Sequence, residues 1–148
     1  MAETSPYVSQ LEESCLTVAS AIGREDQWAL VYQSRSGPPT QPWLEPDILS
    51  HLRRLREAGV TDVVVCPIGF CSDHMEVLFD LDTEARQLCG ELGLNMIRAR
   101  TAGTHPKMID MVLAQLREPA GATPILDRCS ANCCPEPVKR PPPAAERP

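Results

Sequence analysis

Three carboxylates at four-residue steps, Glu76, Asp80 and Glu84, carry the clearest chemical signal in the chain. At 3.6 residues per turn this spacing lines them along one side of a helix. No Lys or Arg lies between Asp73 and Glu84. Like charges at i, i+4 oppose helix formation by roughly 0.2–0.5 kcal/mol per pair, so the row carries a cost. Two readings fit it. In one, the row is a solvated acidic face, with Asp73 as the helix N-cap and Glu76 as its capping-box partner. In the other it is a path for a divalent cation, since carboxylate oxygens suit such ions and imidazole suits iron, zinc and copper. Periodicity does not choose between them.

The row needs a strand and a turn to hold it. Residues 63–66 form a continuous apolar run, the pattern of a strand covered on both sides, and 67–70 read as the turn that follows. Leu78, Leu81, Ala85, Leu88 and Leu92 recur at three- and four-residue steps as the packing stripe of the helix, roughly 120° from the carboxylates. A row at the C-terminal end of a buried parallel strand lies where open α/β sheets bind ligands.

Around this unit, residues 6–22 read as an amphipathic helix ended by Gly23, 28–33 as a strand, and 34–46 as a loop stiffened by Gly and Pro. Residues 48–58 form the next helix, with Ile48, Leu49, Leu52 and Leu55 inward and Gly59 as its stop. Residues 94–99 give a third strand, and Met108, Ile109, Val112, Leu113 and Leu116 a last amphipathic helix. The order α-β-α-β-α-β-α predicts an α/β fold: a small parallel sheet flanked by helices.

Other residues each have a plain and a functional reading. Trp43 in the Pro-rich loop either caps the core or forms a wall for a flat apolar ligand. Arg35 is either an exposed strand-end arginine or a partner for a ligand carboxylate. His74 beside a helix start reads as a cap or surface residue. His51, at helical spacing from Leu55, reads as structural. Arg53, Arg54 and Arg56 read as a solvated face.

The chain has 148 residues, enough for one modest core, and a net charge of −6, which argues against nucleic acid and anionic membranes as partners. No apolar run suggests a signal peptide or an integral membrane segment, so a cytoplasmic location is expected. Seven cysteines without a leader favour thiols or a metal centre over disulfides. From Pro119 the composition turns Pro-rich, which divides the chain into a folded unit, 1–118, and a flexible tail, 119–148. Cys129, Cys133 and Cys134 stand together in that tail and are not core packing.

The segments Tyr32-Gln33-Ser34-Arg35-Ser36-Gly37-Pro38, Pro42-Trp43-Leu44, Pro67-Ile68-Gly69-Phe70 and Ser72-Asp73-His74-Met75-Glu76 occur in this order across most of residues 5–117. Together they resemble the C-terminal half of a ferrochelatase, the family that inserts ferrous iron into a porphyrin in haem synthesis. The resemblance implies a lyase-type enzyme with ferrous iron and a porphyrin as substrates. It also implies a fold that is one half of a doubly wound two-domain architecture. Glu76 falls on the family's active-site glutamate, with His74 in a polar role near it, and Asp80 and Glu84 continue the metal path. The family's helix carries a π-type widening here. Trp43, with Ser34, Arg35 and Gly37, falls on the porphyrin pocket.

In the family a strand with a catalytic histidine precedes the first helix, whereas this chain begins at Met1 without it. The resemblance therefore implies either a missing N-terminal half or self-association as the means of completing the site. Cys129, Cys133 and Cys134 resemble the C-terminal cysteines on which some members carry a [2Fe-2S] cluster, with a fourth thiolate from the other half. The loop and tail look like the bacterial branch that uses coproporphyrin III, although protoporphyrin IX remains open. A non-catalytic tetrapyrrole- or metal-binding half-protein is the alternative. A cobalt or nickel chelatase fits less well, because such sites are rich in histidine and this chain has three.

Overall fold

Asp47 ends an extended stretch, and its Oδ1 accepts the Ser50 backbone N–H at 3.1 Å, satisfying one donor that a helix start would leave without a partner. A computed structural model describes residues 6–33 and 43–117, in which this cap opens α2, Ile48–Glu57. Ile48 and Leu52 are buried, Leu49 and Leu55 are half-buried, and the three arginines are exposed. Gly59 ends the helix at φ 85°, a conformation that disfavours other residues. Upstream, α1 spans Tyr7–Ala21.

Two strands, β1 (Asp62–Val65) and β2 (Asn95–Arg98), pair in parallel, with Val63 opposite Met96 and Val65 opposite Arg98. A parallel pair needs a crossover, and one continuous helix supplies it. This helix begins as α3 (Met75–Val77), widens into a π-helical segment over Leu78–Ala85, and ends as α4 (Arg86–Leu92). Gly93 at φ 68° turns the chain back, and the Leu94 N–H bonds the Cys89 carbonyl at 2.8 Å. A final helix, α5, spans Pro106–Arg117.

The core lies between α2, the long helix and one face of the sheet. Ile48, Leu52, Val77, Leu81, Ala85, Leu88, Cys89, Leu94 and Met96 are its buried members, with Val31, Val63, Val65 and Phe70 packed against them. The α/β expectation of a small parallel sheet flanked by helices holds. No described helix is long and apolar enough to cross a membrane.

Three expectations change. Residues 28–33 form no strand. The Tyr32 N–H bonds the Pro46 carbonyl and the Ile48 N–H bonds the Tyr32 carbonyl, both at 2.9 Å, as an isolated parallel bridge. It cannot extend backward, because Pro46 has no N–H to donate, or forward, because Ile48 enters α2. The strand at 63–66 is covered on one face among the described residues; on the other, Val64 is 71% exposed and Ile97 60%. Its β-branched composition suits any pleated surface and does not require cover on both sides. Third, α5 has the expected periodicity, yet none of its residues is buried among the described residues.

Candidate functional site

Beyond β1 the chain turns tightly. The Phe70 N–H bonds the Pro67 carbonyl at 3.1 Å, and the Gly103 N–H bonds the Cys71 carbonyl at 2.7 Å, which ties this turn to the one after β2. His74 then adopts an extended conformation at the N-cap, and its Nδ1 accepts the Val77 N–H at 3.4 Å. Its ring meets Phe70 edge-on, with centroids 4.9 Å apart. His74 is thus the cap that sequence suggested Asp73 would be. Asp73 instead accepts a hydrogen bond from Arg98 Nη1 at 2.9 Å, and that bond to a guanidinium takes it away from the helix start.

Glu76 lies in the first turn, where the helix dipole favours a carboxylate, and it is exposed. Asp80 and Glu84 follow at four-residue steps on the π segment. Each of the three precedes a buried residue: Val77 at 0% exposure, Leu81 at 1% and Ala85 at 0%. The packing stripe is therefore Val77, Leu81, Ala85, Leu88 and Cys89, with Leu92 packed against it, and Leu78, expected inward, is 43% exposed. In an α-helix four residues advance the side chains by about 40° per step. The wider turn of the π segment, closed on i+5, counteracts that drift, which keeps the carboxylates and the packing residues on separate sides of the helix. Among the described residues no three His, Cys, Asp or Glu side chains group as a metal site.

Arg98, the last residue of β2, was not singled out by sequence reasoning. Its Nε and Nη2 donate to the two oxygens of Asp82 at 2.7 and 2.8 Å, while Nη1 also reaches the Ala99 carbonyl at 3.2 Å. Arg86 adds a longer contact to Asp82 at 3.5 Å. The hydrogen bonds from Arg98 are the main reason that the Asp82 carboxyl is held below its ordinary range. Asp82 lies 16 positions from Arg98 and Asp73 lies 25, so no local spacing announces the cluster.

Trp43 is 39% exposed, and it is not among the core residues. Ser34, Arg35 and Gly37 lie outside the described residues, as do Cys129, Cys133 and Cys134. An open depression among the described residues is lined by Glu45, Pro46, Asp47, Ser50 and Arg54 at the start of α2, and it shares no residue with Glu76, Asp80 and Glu84. His51 is half-buried, and burial, then Arg54, pushes its pKa down, in keeping with its structural reading. Burial pushes the thiols of Cys15, Cys66 and Cys89 up, so they are poor thiolate donors.

A parallel strand, a turn, a histidine cap and a π-widened helix bearing Glu76, Asp80 and Glu84 are thus assembled as one unit. The family model for ferrochelatase matches residues 1–119. The chain belongs to the ferrochelatase family. It is 49% identical to a ferrochelatase of Rhodopirellula baltica, across 100% of this chain and 45% of that protein. It is 44% identical to proteins named coproporphyrin III ferrochelatase from Nocardia farcinica and Streptomyces coelicolor, each across 91% of this chain and 42% and 41% of those proteins. The chain therefore spans less than half the length of these ferrochelatase relatives.

Proposed function

We propose that this chain is the C-terminal part of a ferrochelatase, and that Glu76, Asp80 and Glu84 guide ferrous iron toward a porphyrin. The observation that carries the reading is the π-widened helix, on which Glu76, Asp80 and Glu84 stand at four-residue steps, each next to a buried residue of the packing stripe. Oxygen donors at successive helical turns suit a hard or borderline dication. Insertion also requires two pyrrole nitrogens to lose protons, a task for a carboxylate at the porphyrin end of the file. Glu76, in the first turn and next to the His74 cap, takes that position in this reading.

The porphyrin pocket would draw on Trp43 and on Ser34, Arg35 and Gly37. An indole offers a flat apolar wall, and a guanidinium pairs with a propionate. Coproporphyrin III is the porphyrin we favour, supported by the names of the Nocardia and Streptomyces relatives. Catalysis then requires the portion of the relatives that this chain does not span, or a second copy in its place. Cys129, Cys133 and Cys134 could supply three of the four thiolates of a [2Fe-2S] cluster. Cys89 is buried in the core and unsuited as the fourth.

A chimera tests the reading: this chain replaces the matching portion of the Rhodopirellula baltica relative. Iron insertion into coproporphyrin III, followed by the Soret band, is the expected result. A chimera that folds and binds coproporphyrin III but inserts no iron overturns it.

A further inference from the structure

We propose that Arg98 is the positioning residue that fixes the carboxylate file, by holding Asp73 and Asp82 at a set separation with one guanidinium. The π segment is the starting point. Such segments are rare, and an eight-residue one has to be held by its surroundings. Val77, Leu81 and Ala85 hold its inner side by packing. Arg98 holds another side, and it grips at two places. Asp73 lies one residue before the His74 cap, and Asp82 lies within the π segment, so Glu76 and Asp80 fall between the two anchors.

The geometry is that of a clamp. Nε and Nη2 engage both oxygens of Asp82 at 2.7 and 2.8 Å, and Nη1 engages Asp73 at 2.9 Å. The guanidinium is planar and rigid, so bonds from all three nitrogens hold the two carboxylates at a set spacing. The clamp is itself anchored to the sheet, because Arg98 pairs with Val65 of β1 and its side chain is only 12% exposed. A lysine would keep the charge and lose the fork. Asp73 and Asp82 are both engaged by this guanidinium. Arg98 need not touch a substrate; it acts through the backbone it holds. The consequence for metal binding rests on the functional reading above, whereas the clamp itself does not.

The test uses the whole chain and its Arg98→Lys variant, with amide hydrogen exchange and a Co²⁺ titration as a ferrous stand-in. The expected result is exchange about tenfold faster at residues 76–85, with α2 unchanged. Co²⁺ should bind correspondingly more weakly to the variant. Unchanged exchange at 76–85, or equal acceleration in every element, overturns the proposal. So does Co²⁺ affinity that stays constant while 76–85 loosens. If the wild-type chain binds no Co²⁺, the metal-path reading fails and exchange alone decides the clamp. If Arg98→Lys does not fold, Asp73→Ala removes only the 2.9 Å arm. It should speed exchange at 75–77 and spare α4; no change there also overturns the proposal.

Discussion

Arg98 and Asp82 meet as a two-pronged ion pair, Nε to Oδ1 at 2.7 Å and Nη2 to Oδ2 at 2.8 Å, across 16 positions of sequence. Their side chains are 12% and 28% exposed, so water screens the pair only in part. Charge-assisted hydrogen bonds of this kind are each worth about 1.5–3 kcal/mol when well shielded, and less where solvent reaches them. Arg98→Ala is therefore expected to cost about 2 kcal/mol in chemical denaturation. Asp82→Asn should cost less, and the double variant should fall short of the sum. Strict additivity would show that the two side chains act separately.

The same pair sets an acid limit. Hydrogen bonds from Arg98 hold the Asp82 carboxyl below its ordinary value of 3.8, so the unfolded chain binds that proton more readily than the folded one. Stability from this group is fully present above the unfolded pKa and is lost as pH falls through it toward the folded one. Denaturation midpoints measured from pH 6 down to pH 3 should drop most steeply near the bottom of that range, and Asp82→Asn should flatten the slope. An unchanged slope in the variant would remove Asp82 from the account.

His51 acts in the same direction at milder pH. Burial and Arg54 lower its pKa from 6.5, so the folded chain resists protonation that the unfolded chain accepts. Its contribution is present above pH 6.5 and declines as pH falls below that value. His51→Gln should remove this step from a midpoint profile between about pH 7.5 and 5.5 while leaving the Asp82 step in place. A profile identical to that of the parent chain would contradict the assignment.

The helix that begins at Met75 makes a packing prediction from which of two adjacent residues it buries. Val77 is fully buried, and Leu78 is 43% exposed. Val77→Ala should cost about 2 kcal/mol and Leu78→Ala under about 1 kcal/mol, although leucine loses more atoms. Urea denaturation of the two variants decides it, and the opposite order would argue for the stripe through Leu78.

Legibility followed the range of the interactions. Helix limits were readable because their signals are local: Asp47 caps α2 three residues from Ser50, and Gly59 and Gly93 stop helices through positive φ. The carboxylate file was readable as four-residue spacing. The start of the packing stripe was not, because Val77 and Leu78 both lie at helical steps from Leu81 and only the structure shows that Val77 is the buried one. Residues 28–33 read as a strand from composition, and what ends their pairing is Pro46, visible only once the partner is known. Arg98 meets Asp73 and Asp82 through the parallel register of β1 and β2, which no local pattern encodes. Trp43 was legible as an unusual loop residue, and its 39% exposure keeps it out of the core.

The most direct test of the central claim is the rate of iron insertion into coproporphyrin III by the chimera described above, with Glu76 intact and with Glu76→Gln. Glutamine keeps the size of the side chain and can neither accept a proton as a carboxylate does nor offer a charge to iron. The account predicts a fall of about 100-fold or more, with folding and porphyrin binding retained. A Glu76→Gln chimera that inserts iron at the parent rate would contradict it.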